Sequence, residues 1–208
     1  EVHLGDHLDD PRAADTGDPG LGHCLVESGL VGPRLDPEHP DAGLAGLYGG
    51  INTVQADFDN DGDVDLYVLR GAWMADGGLH PNSLIRNNGN GTFTDITFDA
   101  GLGEVHYPTQ TAAWADYDND GDEDLYVGNE HSMGFATELY SGSEGSRPIE
   151  APCQLFRNNG DGTFTDMAAE AGVENLRFVK GVVWGDYDGD RWPDLYTSAL
   201  GQPNRLYR

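Results

Sequence analysis

The stretch W-A-D-Y-D-N-D-G-D-E-D-L-Y-V, residues 114–127, is the most informative segment of the chain. Between Asp116 and Asp124, six of the nine residues are acidic and none is Lys or Arg. Two carboxylates ~4–5 Å apart repel each other by about 3–4 kcal/mol at an effective dielectric constant of about 20. A folded loop of this composition therefore needs a positive charge that the loop itself does not contain.

The acidic nonamer occurs three times along the chain. The copies are D-F-D-N-D-G-D-V-D at residues 57–65, D-Y-D-N-D-G-D-E-D at 116–124 and D-Y-D-G-D-R-W-P-D at 186–194. A second module follows the first two copies: L-I-R-N-N-G-N-G-T-F-T-D at residues 84–95 and L-F-R-N-N-G-D-G-T-F-T-D at 155–166. A third copy of this module starts as L-Y-R at residues 206–208. Self-similarity of this kind indicates a repeat architecture.

Each repeat shows the pattern of a small antiparallel sheet. The segments before the nonamers, T-A-A-W-A-D and G-V-V-W-G-D, are nearly all apolar, as expected of strands buried on both faces. The Asn-Gly pairs of the second module favour hairpin turns, and Phe93 and Phe164 then alternate with Thr in a half-buried outer strand. Four short strands per repeat predict an all-β fold of antiparallel four-stranded blades, a partial β-propeller.

The repeats fill residues 51–208, which hold about two and two-thirds blades. Residues 1–50 are rich in acidic residues, Gly and Pro, and are expected to be irregular and to include part of a preceding blade.

Alternating aspartates in a tight loop offer the oxygen ligands that Ca²⁺ prefers, six to eight at ~2.3–2.6 Å. We number each nonamer from one to nine; a Gly at position six permits the turn, and the Asp at position nine begins the next strand. The expected ligands are the side chains at positions one, three, five and nine and the carbonyl at position seven. These are Asp57, Asp59, Asp61, Asp65 and the Asp63 carbonyl; Asp116, Asp118, Asp120, Asp124 and the Asp122 carbonyl; and Asp186, Asp188, Asp190, Asp194 and the Trp192 carbonyl.

The sequence thus predicts three Ca²⁺ sites, of which the third has the least regular loop. There Arg191 replaces Gly at position six, and Gly189 stands at position four. An EF-hand is excluded, because it needs an acidic residue at position twelve and flanking helices. Mg²⁺ rarely accepts an all-protein cage, and Zn²⁺ is disfavoured because the loops contain no Cys or His. The competing interpretation is a solvated acidic loop without an ion; three copies, each ending in Asp-Leu-Tyr, favour metal.

These motifs resemble a known family. The segments G-D-Y-D-G-D-R-W-P-D-L-Y, A-D-Y-D-N-D-G-D-E-D-L-Y-V and L-F-R-N-N-G-D-G-T-F-T-D-M-A-A-E-A-G-V resemble the FG-GAP and VCBS-type calcium-binding repeats of integrin-α-like propellers, and those of the ASPIC/UnbV and cartilage acidic protein group. The resemblance implies an extracellular, Ca²⁺-loaded propeller with an adhesive or scaffolding role. The sequences Phe-Gly and Gly-Ala-Pro, which give the family its name, are absent, and Arg191 departs from the Gly expected at position six of the nonamer.

An unfinished third blade would expose an edge strand, which is a template for pairing with another chain. Either a neighbouring chain completes the blade, giving an oligomer or filament, or the chain is a piece of a larger secreted propeller that binds a protein or glycan. The apolar residues of the two long loops, residues 70–82 and 129–152, either anchor such a partner or merely cover a blade. They are Trp73, Met74, Met133 and Phe135.

Composition narrows the function classes further. A formal net charge of -26 argues against nucleic-acid binding and attraction to anionic membranes, and no apolar run approaches the ~20 residues of a membrane span. Paired carboxylates could serve a carbohydrate-active enzyme. Those of the nonamers would be occupied by metal, however, and neither G-x-S-x-G nor H-E-x-x-H occurs. We therefore expect no enzymatic activity.

Two covalent modifications are candidates. Cys24 and Cys153 either form a disulfide that closes a long loop or remain two buried thiols. Asn90 begins an N-glycosylation sequon, although turn formation alone also explains an Asn there.

Overall fold

The computed structural model describes residues 40–133 and 147–208. Eleven β-strands lie within these residues: β1 Gly50–Ala56, β2 Asp65–Arg70, β3 Ser83–Asn87, β4 Phe93–Asp95, β5 Thr109–Ala115, β6 Asp124–Asn129, β7 Gln154–Asn158, β8 Phe164–Asp166, β9 Val179–Gly185, β10 Asp194–Ala199 and β11 Arg205–Tyr207. Two 3₁₀ turns, Pro40–Ala42 and Ala75–Gly78, complete the regular structure.

The strands form three antiparallel sheets within the described residues. Blade 1 has the order β1-β2-β3-β4, blade 2 the order β5-β6-β7-β8, and blade 3 the order β9-β10-β11. The innermost strands lie side by side, because β5 contacts both β1 and β9. The predicted all-β, blade-forming fold is confirmed. None of the helical segments in the described parts of the chain is long and apolar enough to cross a membrane.

The turns of each blade follow from the repeat. A nonamer joins the first two strands of every blade, and in blades 1 and 2 the Asn-Asn-Gly segment joins the third strand to the outer strand. In blade 1, the N–H of Asn88 donates to the Thr92 carbonyl at 2.9 Å, and Gly89 and Gly91 take φ values of 69° and 84°. The predicted hairpin turn is therefore confirmed.

The core lies in two seams between neighbouring blades. The seam between blades 1 and 2 buries Phe58, Tyr67, Leu69, Leu84, Ala100, Leu102, Ala112, Leu125, Val127, Phe156 and Phe164, with Trp114 packed against them. The seam between blades 2 and 3 buries Tyr126, Cys153, Leu155, Ala168, Val179 and Leu195, with Tyr117, Val173, Trp184 and Tyr207 packed against them. Burial of each large side chain stabilises the fold by about 1.5–3 kcal/mol.

The two seams repeat the same aromatic contact. Tyr67 meets Trp114 edge to face with ring centroids 6.3 Å apart, and Tyr126 meets Trp184 in the same way at 6.3 Å.

The inner strands are less uniformly buried than their apolar sequences predict. The strand β5 packs between two neighbours, whereas Val183 on β9 is exposed. Within the described residues, β9 has a neighbouring blade on one side.

A cluster on the side of the blades opposite the nonamers links all three blades. Glu130, at the end of β6, is fully buried and pairs with Lys180 of β9. The Lys180 ammonium lies 3.0 Å from the ring centroid of Trp73, which follows β2. The N–H of Trp73 donates to Glu130 Oε2 at 2.5 Å. Burial raises the pKa of Glu130 and lowers that of Lys180, while their mutual hydrogen bond opposes both shifts.

Candidate metal centres

The aspartate at position one organises each nonamer loop. Asp57 accepts the N–H groups of Asp61 and Gly62, both at 3.0 Å. Asp116 accepts the equivalent pair at 2.9 and 3.0 Å, and Asp186 accepts it at 3.1 and 2.9 Å. The three loops therefore share one backbone curl, in which the carboxylate at position one lies inside the turn.

The aspartate at position nine ties the loop to the strands. Asp124 accepts the N–H of Tyr117 at 3.2 Å and that of Asn158, in β7, at 2.8 Å. Asp65 makes the equivalent bonds in blade 1, at 3.2 and 2.7 Å. Asp194 accepts the N–H of Tyr187 at 2.9 Å in blade 3. Each of these carboxylates is buried at the start of the second strand of its blade.

Three aspartates converge in every loop. In each triad, one carboxylate oxygen per residue lies within 4.8 Å of the others. The triads are Asp57, Asp59 and Asp61; Asp116, Asp118 and Asp124; and Asp186, Asp188 and Asp194. Two oxygens that bind one Ca²⁺ ion at ~2.3–2.6 Å can be at most about 5 Å apart. Each triad therefore has the dimensions of a shell around a single ion.

The fourth predicted carboxylate of each loop lies outside its triad. In blade 1 it is Asp65, and in blades 2 and 3 it is the residue at position five, Asp120 or Asp190. Asp120 and Asp190 each accept the N–H of position seven at 2.9 Å, which holds them to the loop backbone. The predicted ligand roles of all three residues stay predictions.

Several carboxyl groups of the first two loops have raised pKa values. Burial raises the pKa of Asp124 to about 7, despite two backbone N–H bonds that oppose the shift and with a contribution from Asp118. Burial likewise raises the pKa of Asp65 to about 6. The pKa of Asp59 is also raised by burial and then by the neighbouring Asp61. A bound cation would reverse this electrostatic balance and favour the ionised carboxylates.

One oxygen of the second triad has no protein partner. Asp118 Oδ1 is buried and makes no hydrogen bond within the described residues. An unpaired buried carboxylate oxygen is costly, and it is the kind of atom that a metal ion would satisfy. This atom, together with the triad dimensions, fits a hard divalent cation.

An arginine stands beside the aspartate at position three of every loop. Arg208 Nε lies 2.7 Å from Asp188 Oδ2 in blade 3. Burial, and then the neighbouring Asp120, raise the pKa of Asp118. The charge of Arg157 opposes this rise as a minor effect. These arginines were not predicted from the sequence, although the L-x-R pattern that recurs at residues 84–86, 155–157 and 206–208 marks them.

The third loop keeps the backbone of the other two. Arg191 takes a φ of 76° at position six, where Gly62 and Gly121 have φ values of 93° and 97°. At position four, Gly189 has a φ of 82°, and Asn119 in the second loop has a φ of 57°. The left-handed conformation costs a non-glycine residue such as Arg about 1–2 kcal/mol.

The side chains at position seven point to neighbouring turns. Asp122 Oδ1 accepts the amide N–H of Asn60, in the loop of blade 1, at 2.9 Å. The Asp63 carboxylate lies against Gly89, and Trp192 is half exposed. The predicted ligand roles of the three carbonyls at this position stay predictions. The Asn60 bond links the loops of blades 1 and 2.

The other predicted sites are dispersed. Asn90 is exposed in the β3–β4 turn, where its Oδ1 accepts the Thr92 N–H at 3.0 Å. Its glycosylation stays a prediction.

Cys153 is buried, and burial raises the pKa of its thiol to about 11. Cys24 and Phe135 lie outside the described residues. Among the remaining loop anchors, Trp73, Met74 and Met133 are about half exposed.

A series of antiparallel blades, each with an aspartate triad between its first two strands, defines a β-propeller repeat protein with candidate metal sites. The chain belongs to the FG-GAP-like repeat family, whose family model matches residues 57–127 and 136–197. The resemblance seen in the sequence is confirmed.

The chain is also similar to cartilage acidic protein 1 from three species. It is 43% identical to the Mus musculus protein over 174 residues, which cover 79% of this chain and 23% of the relative. It is 26% identical to the Homo sapiens protein over 174 residues, with the same coverage. It is 27% identical to the Xenopus tropicalis protein over 135 residues, which cover 62% of this chain and 18% of the relative. The chain thus spans less than a quarter of these relatives' length.

Proposed function

We propose that the chain is an extracellular, Ca²⁺-binding propeller segment with a structural or adhesive scaffold role. One observation carries this proposal: three aspartate triads recur on the same loop backbone, each between the first two strands of a blade. An ion in each triad would hold those strands together and would change the formal charge from -26 to -20.

The chemistry of the triads supports Ca²⁺ as the ion. The converging atoms are all carboxylate oxygens, which suit hard cations. Mg²⁺ tends to keep several water ligands, whereas Ca²⁺ accepts a shell built largely from protein. Extracellular modules bind Ca²⁺ with dissociation constants of about 10⁻⁴–10⁻³ M. We expect an affinity of this order for the three sites, so that they fill where Ca²⁺ is abundant, as it is outside the cell.

A structural role is favoured over catalysis by the way the carboxylates are held. Asp57, Asp116 and Asp186 each accept two or more backbone N–H groups and are therefore fixed in their loops. A general acid or base must instead reach a proton of the substrate. We include the absence of enzymatic activity in the proposal.

Calcium-dependent stability tests the proposal. Thermal unfolding of the whole chain is followed by circular dichroism with Ca²⁺, with Mg²⁺ and with chelator, and calorimetry counts the ions. Each site stabilises the fold by about 2.7 kcal/mol at a free ion concentration of about 100 times its dissociation constant. Asp116→Asn should reduce the Ca²⁺ effect, whereas Asp99→Asn, an exposed residue outside the triads, should not. Equal melting temperatures with Ca²⁺ and with chelator would contradict the proposal.

Exposed side chains on the side opposite the nonamers favour a second candidate function, the binding of a glycan or protein by a larger propeller. Trp73, Met74 and Met133 are about half exposed there, and Trp73 holds a left-handed φ of 69°. Residues held in strained backbone conformations cluster at ligand sites. Oligosaccharides that stack on Trp73 should quench its fluorescence, and Trp73→Phe should remove that quenching. Unchanged fluorescence across a panel of neutral and acidic oligosaccharides would exclude the glycan.

A further inference from the structure

An arginine is buried at the end of β2 that lies away from the nonamer. Arg70 is 8% exposed, and its Nε donates to the Tyr48 carbonyl at 2.8 Å. Its Nη1 donates to the Pro81 carbonyl at 3.0 Å and to Ser83 Oγ at 2.7 Å. Within the described residues, Nη2 makes no hydrogen bond and no carboxylate forms an ion pair with the guanidinium. All three acceptors are neutral, and a buried charge without a counterion is costly.

Blade 2 makes the same connection without a charge. Its second strand, β6, ends at Asn129, whose Nδ2 donates to the Pro152 carbonyl at 2.7 Å and to Gln154 Oε1 at 3.3 Å. Gln154 Nε2 in turn donates to Asp166 Oδ2 on the outer strand at 3.3 Å. A neutral amide is therefore enough to hold the second strand to the third, and one further amide group bridges the space to the outer strand. The charge of Arg70 is not needed for this connection.

Blade 1 lacks the bridging amide. Ser83 stands where Gln154 stands in blade 2, and its shorter side chain makes no bond to the outer strand. Asp95, the counterpart of Asp166, accepts side-chain and backbone bonds only from Thr97 within the described residues. A cavity of about 560 Å³ is lined by Arg70, Ser83 and Asp95. Small-molecule sites have volumes of about 300–1,000 Å³.

Apolar side chains form much of the remaining cavity wall. Tyr48 is 82% exposed, Phe98 is 65% exposed and Met74 is 48% exposed, and all three line the cavity together with Leu47. An apolar wall with a few polar groups is the usual lining of a ligand site. The cavity thus combines a buried cation, a carboxylate and an apolar surface.

We propose that the cavity lined by Arg70, Ser83 and Asp95, here termed the Arg70 cavity, binds an apolar α-amino acid, either free or at the C-terminus of a peptide. The ligand carboxylate accepts hydrogen bonds from Arg70, since the planar guanidinium matches a carboxylate. The ligand N–H donates to Asp95, as the bridging amide of blade 2 donates to its aspartate. Its apolar side chain packs against Tyr48 and Phe98.

An α-amino acid fits because its acceptor and its donor lie close together. In blade 2 a single amide group reaches both sides of the space, with its oxygen toward Asn129 and its nitrogen toward Asp166. An α-carboxylate and the neighbouring N–H offer the same pair, with the negative charge that the guanidinium lacks. The Arg70 cavity goes beyond the proposed Ca²⁺ scaffold role, because the nonamers lie at the opposite end of the second strand.

A set of small ligands tests the Arg70 cavity on the whole chain. Isothermal titration calorimetry compares N-acetylphenylalanine with N-acetylphenylalaninamide, which lacks the charge, and with 3-phenylpropanoate, which lacks the N–H. We expect N-acetylphenylalanine to bind, and the other two to bind at least about tenfold more weakly. Free phenylalanine and the peptide Gly-Gly-Phe then distinguish the two sources, since the tighter ligand of the two identifies the natural one.

Two arginines supply matched protein variants. Arg70→Gln keeps an amide of the kind that serves blade 2 and removes the charge, so binding should weaken at least about tenfold. Arg205→Gln changes an exposed arginine outside the cavity lining and should bind as the unchanged chain does. Tyr48→Ser removes an exposed ring and leaves the backbone carbonyl in place. It should weaken binding several-fold, and it decides the matter if Arg70→Gln does not fold.

The proposal is overturned by absence of binding at millimolar N-acetylphenylalanine, by equal affinity for the amide, or by unchanged binding to folded Arg70→Gln or to Tyr48→Ser. Calcium-dependent melting is measured on the same samples. A chain that responds to Ca²⁺ but not to these ligands refutes the Arg70 cavity alone, and the reverse result refutes the metal proposal alone.

Discussion

Replacing Asp124 by Asn should have opposite effects on stability with and without Ca²⁺. Asp124 is 0% exposed and belongs to the second triad. Its two oxygens accept the N–H groups of Tyr117 and Asn158. Asn keeps the size of the side chain, removes the charge and replaces one acceptor oxygen by a donor.

The magnitude follows from the pKa of Asp124. A rise from 3.8 to about 7 means that ionising this group costs the folded chain about 4 kcal/mol near pH 8 when no ion is bound. Asn avoids this cost but loses one backbone hydrogen bond, about 0.5–1.5 kcal/mol. The ion-free variant should therefore be about 2.5–3.5 kcal/mol more stable than the unchanged chain. With Ca²⁺ the variant lacks an anionic ligand and should lose most of the roughly 2.7 kcal/mol that a well-filled site contributes.

Urea unfolding near pH 8, followed by circular dichroism, measures both effects. One series contains Ca²⁺ and the other contains chelator, and Asp99→Asn serves as the exposed control. If Asp124→Asn changed the free energy of unfolding in the same direction in both series, the residue would act as a purely structural hydrogen-bond acceptor and the prediction would be wrong.

Three further predictions concern the same loops and seams. In chelator, the free energy of unfolding should fall as the pH rises from about 4 to about 7. Asp65 and Asp124 have raised pKa values, so the folded chain binds more protons than the unfolded chain in this range. Urea titrations that show a rise in stability over the same range would contradict this prediction. Arg191→Gly should raise the stability by about 1 kcal/mol, since Gly takes the positive φ freely; a lower melting temperature would exclude strain there. Asn158→Ala should cost about 1–3 kcal/mol by leaving the buried Phe58 carbonyl without its 2.8 Å bond; an unchanged urea midpoint would show that this bond contributes little.

Much of this architecture could be predicted from the sequence because the repeat is local. The nonamer fixes a loop between two strands, and Asn-Gly fixes a hairpin, so fold class and candidate ligands follow from short segments. The left-handed φ at position four was also predictable from Asn60 and Asn119, since Asn tolerates that conformation. The membership of each triad was not, because it depends on side-chain orientations that the shared D-x-D-x-D pattern leaves open.

Contacts between repeats were harder to predict. Phe164 of blade 2 packs against Phe58 of blade 1, with ring centroids 5.8 Å apart. This contact depends on how two sheets pack, and the alternation of apolar and polar residues indicates only that this side of the strand is buried. One signal was missed altogether. The tetrad D-A-G-L at residues 41–44 repeats residues 99–102. Gly43 lies against the Phe93 carbonyl, as Gly101 lies near that of Phe164.

The cluster of Trp73, Glu130 and Lys180 couples the unfolding of the three repeats. In most tandem-repeat proteins each repeat contacts only its immediate neighbours, so the terminal repeats can unfold while the central ones stay folded. Here the Lys180 ammonium of the third repeat lies against the Trp73 indole of the first, and the Glu130 carboxylate of the second repeat bonds to the ammonium and to the Trp73 N–H. Loosening any one repeat therefore uncovers a charge that the other two had enclosed. Melting of the array should be all-or-none, and a lesion at either end should be detectable two repeats away.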